Sequence, residues 1–176
     1  MLGQSGFTGI KNPTVSQFFM GFPYGLVYDP TNGVLVSDRS YNRVLLFSKD
    51  SLTNGAAAVK VIGQLDFTST GTATLSQPYH IAEDSNARIY VADYGHNQVL
   101  IFGSLPFLST STTVPVNALT QLNRPQALWV NPTSVAGYPD DIWVGVPSCL
   151  FGLAHEARLC TLTAYFMHRS CAPANA

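Results

Sequence analysis

Short apolar runs alternate with polar turns along much of this chain. The stretch 89–102 reads Ile-Tyr-Val-Ala, then a turn that holds Asp93, Gly95 and Asn97, then Val-Leu-Ile-Phe. β-Branched and aromatic residues suit strands. Gly suits a turn because it accepts positive φ, and Asp and Asn suit one because they bond nearby backbone. The pattern therefore predicts a β-hairpin over residues 89–102.

The same hairpin pattern occurs earlier, over residues 34–47. Its Asp38 and Asn42 stand 55 positions before Asp93 and Asn97. A constant offset means that no insertion separates these features in the two copies. The chain is therefore built on an internal repeat, and a repeat of this length is typical of stacked sheet units.

The repeat divides the chain into units of about 2–57 and 58–117 and an incomplete third unit, 118–146, whose first turn carries extra residues at 131–138. Strand interiors are apolar at successive positions, so both faces of each sheet are expected to be covered. A fourth strand is predicted over 58–62. Antiparallel sheets of this kind stack as propeller blades. We predict an all-β fold: a partial β-propeller of about three four-stranded antiparallel blades.

The last segment, 147–176, differs from the repeats. Residues 153–162 are helix formers without Gly or Pro, which predicts a short helix in an otherwise irregular tail. Five potential metal ligands lie in this tail: Cys149, His155, Cys160, His168 and Cys171. No pair among them has the two-to-four-residue spacing of zinc ligands, so we expect no metal and no cofactor.

Charge is sparse. Only 11% of the residues are charged and the net charge is -1, so the chain has no general field for nucleic acid or an anionic membrane. Arg43 and Arg124 are isolated, and arginines beside turn acids are more often local ion pairs than RNA contacts. No run approaches the roughly 20 apolar residues of a membrane span, and no basic-then-apolar leader begins the chain. We expect neither a nucleic-acid nor a membrane partner.

The motifs resemble those of the NHL-repeat β-propellers. The matching residues are the strand-Asp runs 34–38 and 89–93, the Asn-x-Val that follows each, and the Gly-Gln-x-x-Phe openings at Gly3 and Gly63, which are similar to those of bacterial members. The resemblance covers about residues 2–146. It implies a ring of about six blades, of which this chain holds two and part of a third. A fragment of a larger propeller is the first interpretation, and self-association through open blade edges is the second.

Four side chains on or beside the predicted inner strands are candidate binding residues: Tyr24, Tyr79, His80 and Trp129. Core packing is the other interpretation of the three aromatic residues. His80 is expected near a propeller's central channel, where related propeller enzymes hold a metal. Its equivalents in the other units, Gly25 and Ala127, cannot ligate through side chains, so no metal site is predicted.

Five polar or glycine residues are interpreted as structural turn residues: Asp38, Asn42, Asp93, Gly95 and Asn97. No catalytic residue is predicted. The leading hypothesis is therefore a non-catalytic scaffold that binds an unidentified protein or small ligand on a propeller face. The alternative is a fragment of a propeller enzyme, similar to the amidating lyases or lactonases, whose catalytic residues lie on other blades.

Overall fold

The computed structural model describes residues 2–3, 14–130, 142–147 and 162–167. This part of the chain holds twelve strands: β1 (Pro23–Asp29), β2 (Gly33–Asp38), β3 (Arg43–Ser48), β4 (Lys60–Ile62), β5 (Pro78–Glu83), β6 (Arg88–Asp93), β7 (Gln98–Ser104), β8 (Ser111–Thr112), β9 (Asn117–Leu119), β10 (Ala127–Val130), β11 (Ile142–Pro147) and β12 (Leu162–Met167). The described helices are single 3-10 turns: Arg39–Tyr41, Lys49–Ser51, Tyr94–His96 and Leu105–Phe107.

The strands form three sheets, which we call blades 1, 2 and 3. Blade 1 has the order β1-β2-β3-β4-β8, blade 2 the order β5-β6-β7-β9, and blade 3 the order β10-β11-β12. Neighbouring strands are antiparallel except β4 and β8, which are parallel. Both predicted hairpins, β2-β3 and β6-β7, are present, and each lies within its own sheet.

The blades pack face to face. One apolar cluster joins blade 1 to blade 2 and includes Leu35, Leu46, Ile81 and Val91. A second cluster joins the other face of blade 2 to blade 3, for example through Tyr90 and Val144. Every residue of β2 is buried, as expected for a strand covered on both sides. The fold is therefore an all-β partial propeller in which neighbouring blades shield one another's apolar faces.

The inner strands β1 and β5 approach closely at a glycine. A Cβ added to Gly25 would lie 2.7 Å from the carbonyl oxygen of Tyr79. The Ser37 hydroxyl bridges the same two strands, because it accepts from the Gly25 amide at 2.7 Å and donates to the Tyr79 carbonyl at 2.5 Å. This approach places the first residues of the inner strands side by side on one face of the ring.

Three strands lie outside the predicted pattern. The segment between β7 and β10 contains β8, which extends blade 1, and β9, which is the fourth strand of blade 2. Within the tail, β12 pairs with β11 along six residues from Ile142 to Pro147. Residues 162–167 of the tail are therefore a strand of blade 3, whereas 148–161 and 168–176 lie outside the described residues.

Several other predictions fall on residues outside the described part. They include the extra turn residues 131–138 and the five potential metal ligands of the tail. The predicted helix over 153–162 also lies there, except for Leu162, which begins β12. Among the described residues, no helix is long and apolar enough to cross a membrane.

Candidate functional site

In blades 1 and 2, one buried aspartate links the segment before the inner strand to the hairpin by hydrogen bonds. Asp38 ends β2, and its Oδ1 accepts from the backbone amides of Gly21 at 2.9 Å and Phe22 at 3.1 Å. Asp93 ends β6, and its Oδ1 accepts from the Ser76 amide at 2.7 Å. Carboxylates with several donors are well satisfied when buried. The two aspartates therefore fix the backbone of one ring face.

Arg43 forms a fully buried ion pair with Asp38. Its Nε lies 3.1 Å from Asp38 Oδ2, and both side chains have no exposed surface. The other guanidinium nitrogens donate to carbonyl oxygens of three residues: Ser16, Phe19 and Phe67. In blade 2 the equivalent residue is Gln98, whose amide donates to Asp93 at 2.8 Å. Arg43 is thus fully engaged within the fold.

Two asparagines in the left-handed region clamp adjacent blades together. Asn42 and Asn97 have φ of 52° and 57°. The side-chain oxygen of Asn42 accepts from the Gln77 amide at 2.9 Å, and that of Asn97 accepts from the Arg124 amide at 3.1 Å. Gln77 and Arg124 each precede the proline that leads into the next inner strand. Each asparagine therefore positions the entry to the following blade.

Gly95 allows a close backbone approach at the same face. Its amide donates to the Ser76 carbonyl at 2.8 Å. A Cβ at this position would lie 2.3 Å from Ser76 Oγ, which is too close for any side chain. Glycine is therefore required where the blade 2 turn meets the segment that enters β5.

A row of stacked side chains crosses this ring face, and we call it the arginine–aromatic row: Phe22, Arg39, Tyr79, Tyr94 and Arg124. The Arg39 guanidinium carbon lies 4.7 Å from the Tyr79 ring centroid and 6.0 Å from that of Phe22. Tyr79 stacks on Tyr94 with centroids 4.5 Å apart, and Arg124 lies 5.6 Å from the Tyr94 centroid. The candidate Tyr24 lies beside the row, 4.3 Å from Tyr79. Residues from blade 1, blade 2 and the entry to blade 3 thus form one continuous stack, with Tyr79 buried at its centre.

A cavity of about 370 Å³ opens beside the row. We call it the face cavity, and its lining combines a guanidinium, an aromatic ring, amides and hydroxyls, including Phe22, Arg39, Asn42, Thr72, Ser76 and Gln77. Arg39 Nη2 donates to Gln77 Oε1 at 3.0 Å. Its Nε is buried and has no hydrogen-bond partner within the described part of the chain. This lining suits a polar ligand that carries an anionic or planar group.

A second cavity of about 270 Å³ lies where the three inner strands meet. We call it the channel cavity, and its lining includes Val27, Tyr28, His80, Glu83, Leu128 and Trp129. The candidates His80 and Trp129 therefore lie here, apart from Tyr24 and Tyr79. His80 Nδ1 is buried without a hydrogen-bond partner among the described residues.

Glu83, which lines this cavity, and the neighbouring Asp29 have pKa values that are shifted in opposite directions. Burial and the nearby Asp29 charge raise the pKa of Glu83 to about 7, and the two side chains are hydrogen-bonded to each other. Burial also acts on Asp29, but hydrogen bonds from Asn32 and Thr31 hold the pKa of Asp29 below its usual value. Burial lowers the pKa of His80. At neutral pH, Asp29 is ionised, His80 is neutral, and Glu83 is close to half-protonated.

Several residues of these sites were not singled out from the sequence, among them Phe22, Tyr28, Arg39, Glu83 and Tyr94. The repeat gives a positional signal for three of them. Arg39 and Tyr94 both directly follow the turn aspartate of their repeat, and Phe22, like Gln77 and Arg124, directly precedes a proline. The residue types at these positions differ from unit to unit, so the repeat pattern alone does not mark them.

The three stacked sheets define the chain as a partial β-propeller with one cavity on a ring face and another at the channel. No protein-family model matches the sequence, and no curated protein matches it. Among solved structures, it is similar to virginiamycin B lyase from Staphylococcus aureus, with 13% identity and a TM-score of 0.46 over 76% of this chain and 36% of that one.

Two further structures show similarity of the same order. One is a protein of unknown function from Desulfotomaculum acetoxidans, with 19% identity, a TM-score of 0.49, and coverage of 72% of this chain and 35% of that one. The other is described as a proposed 6-phosphogluconolactonase from Bacteroides uniformis, with 15% identity, a TM-score of 0.46, and coverage of 87% and 43%. The chain spans less than half the length of each of these proteins.

Proposed function

We propose that this chain is a non-catalytic binding module and that its ligand, a small molecule with an anionic group, binds on the arginine–aromatic row. The observation that carries the proposal is the continuity of the row across the three blades beside the face cavity. Arginine presents planar donors to a carboxylate, and flanking rings give it a fixed orientation. A stacked guanidinium with a buried, unpartnered Nε in the described structure suits such a ligand.

The charge balance of this face supports an anionic ligand. Arg39 and Arg124 are the charged members of the row. The nearby acids Asp38 and Asp93 are fully buried and already accept hydrogen bonds from backbone amides. These carboxylates are therefore engaged below the surface, Asp38 with Arg43 as its cation, while the two guanidinium groups remain at the row. A carboxylate that approaches the row meets donors rather than acceptors.

Binding of benzoate and glucuronate, measured by calorimetry and ligand-observed NMR, tests the proposal. Benzoate joins a carboxylate to a ring, and glucuronate joins one to hydroxyls. We expect Arg39→Gln to weaken binding by about tenfold because it removes a charged, planar donor. Lys49→Gln is the matched control, since Lys49 is an exposed cation paired with Asp50 away from the row. Absence of binding by both probes, or equal loss in the control, would contradict the proposal.

We also propose that the repeats are of the NHL type and belong to a ring of about six blades. The fixed 55-residue offset supports this, as do the equivalent hydrogen bonds of Asp38 and Asp93 and of Asn42 and Asn97. Equal losses of stability for Asn42→Ala and Asn97→Ala would support structural equivalence of the units. A large effect in one unit alone would argue against it.

A propeller enzyme with its chemistry in the channel is the second candidate. The observation that favours it is the pairing of Glu83 and His80, two titratable side chains with shifted pKa values, in one cavity. Groups of this kind are enriched at catalytic sites. Metal analysis of the purified chain distinguishes the candidates, because stoichiometric zinc or calcium would favour the enzyme.

A further inference from the structure

The channel cavity has two aromatic walls. Tyr28 reaches it from β1 and Trp129 from β10, and each keeps more than half of its surface exposed, 58% and 52%. They lie on the inner strands of different blades, with β5 between them in the ring order. A large exposed aromatic surface inside a cavity is available to a ligand, and aromatic faces attract cations.

Some of the charged groups around the cavity are already neutralised by a partner. Asp84 is buried and neutralised by Arg88, whose Nε lies 2.5 Å from Asp84 Oδ2. Tyr90 donates its hydroxyl hydrogen to the same oxygen at 2.9 Å. Lys49, which is close enough to interact with Tyr28, is held by Asp50 at 2.8 Å.

The remaining groups are Asp29, Glu83 and His80. Asp29 is ionised and accepts from the Thr31 amide at 2.7 Å and the Asn32 side chain at 2.5 Å. Neither of these donors carries a charge. The neutral His80 supplies no positive charge either. Among the described residues, the Asp29–Glu83 pair therefore leaves negative charge beside the cavity without a cation opposite it.

We propose that the channel cavity binds an organic ammonium ion, with Tyr28 and Trp129 as its walls and Glu83 as its counter-ion. A volume of about 270 Å³ suits a small substituted ammonium. A metal ion is a poorer fit, because among the described residues no group of three His, Cys, Asp or Glu side chains is placed to hold one. Aromatic and aliphatic walls with one carboxyl favour a weakly hydrated organic cation.

Cation binding at this cavity is coupled to a proton. The pKa of Glu83 is about 7 in the empty cavity because of burial and the Asp29 charge. A bound cation stabilises the ionised carboxylate and lowers this pKa, so binding at pH 7 releases up to about half a proton. Affinity therefore rises as the pH increases from 6 to 8. Burial lowers the pKa of His80, and any protonation of this side chain at low pH would repel a cation, so His80 does not reverse the trend.

Choline and its neutral isostere 3,3-dimethylbutan-1-ol are the probes. Binding to the wild-type chain is measured by ligand-observed NMR and by calorimetry in two buffers of different ionisation enthalpy. We expect choline to bind about tenfold more tightly than the isostere. We also expect proton release near pH 7 and tighter choline binding at pH 8 than at pH 6.

Three variants locate the site. Trp129→Leu and Tyr28→Leu are expected to weaken choline binding by about fivefold or more. Glu83→Gln should weaken it and abolish both proton release and pH dependence. Phe107→Leu is the control, since Phe107 is 87% exposed and does not line the cavity. Equal binding of choline and the isostere by the wild-type chain overturns the proposal, whatever the variants do.

Discussion

Replacement of Arg43 is expected to be among the most destabilising single changes in this chain. The side chain is fully buried and makes polar contacts with four residues: an ion pair with Asp38 and hydrogen bonds to the carbonyls of Ser16, Phe19 and Phe67. Arg43→Met removes all of them while keeping apolar volume. Asp38 is then left as a buried carboxylate without its cation.

The expected loss of stability is estimated from the ion pair and from the hydrogen bonds that Arg43 donates. Breaking a buried ion pair by removal of one partner costs about 3–5 kcal/mol. Arg43→Gln should cost less, about 2–3 kcal/mol, because hydrogen bonds to a charged donor are lost but the link to the aspartate is kept. The equivalent Gln98 shows that a glutamine can make this link, with Nε2 2.8 Å from Asp93 Oδ2.

Urea denaturation followed by circular dichroism measures the free energy of unfolding. Lys49→Gln is the control, because its pair with Asp50 is exposed and such pairs contribute about 0–1 kcal/mol. Asp38→Asn in the Arg43→Met background should cost little or restore stability, since it removes the stranded charge. A loss below about 1 kcal/mol for Arg43→Met would refute the reasoning. Limited proteolysis adds a local readout, because Arg43 also holds residues 16–19.

Three further predictions concern the clamps, the channel acid and an exposed apolar surface. Asn42→Ala and Asn97→Ala should each cost about 1 kcal/mol in urea denaturation, because each leaves a backbone amide between blades without its acceptor. Glu83 has a folded pKa of about 7, above its usual value, so its contribution to stability is fully present below about pH 4.5 and is lost as the pH rises through 7. The melting temperature should therefore fall less between pH 5 and pH 8 for Glu83→Gln than for the wild-type chain. Leu26 is 61% exposed on the innermost strand of blade 1, and we propose that this apolar surface supports self-association. Leu26→Ser should then lower the mass measured by light scattering, and an unchanged mass would contradict this.

The hairpins could be predicted from the sequence because local chemistry determines them. Apolar runs with β-branched residues flank turns whose asparagines adopt positive φ, 52° at Asn42 and 57° at Asn97. The stacking of sheets followed from strands that are apolar at successive positions, which need cover on both faces. These signals lie within about fifteen residues of one another, so the pattern alone reveals them.

The short outer strands could not be predicted because other blades determine their pairing. β8 has two residues and β9 three, both in a Ser- and Thr-rich segment that reads as a loop. β8 forms because Thr110 and Thr112 accept from amides of β4 and the following Gly63. Such bonds depend on how blades 1 and 2 are placed, and no local pattern shows that placement.

The cavity residues escaped prediction for a related reason. Glu83 reads as an ordinary acidic residue at the end of a strand. Its pKa of about 7 results from burial and from Asp29, which belongs to the neighbouring blade. Likewise, Arg39 looks like an ordinary turn residue in the sequence. Its stacking partner, Tyr79, lies 4.7 Å away and belongs to blade 2. In both cases the property belongs to a pair of residues from two blades.

Comparison of the units with one another suggests how structure and binding are divided within the repeat. Positions that hold the same residue in blades 1 and 2, such as Asp38 and Asp93, make the hydrogen bonds that build and join the blades. Several positions at the two cavities hold different residues in blades 1 and 2: Arg39 is replaced by Tyr94, and Tyr28 by Glu83. A ring of identical units would present symmetrical cavities with equivalent groups from each blade. Because these units differ at the cavity positions, a guanidinium can stack on a ring, and a carboxyl can face two aromatic walls, without any change in the contacts that hold the blades together.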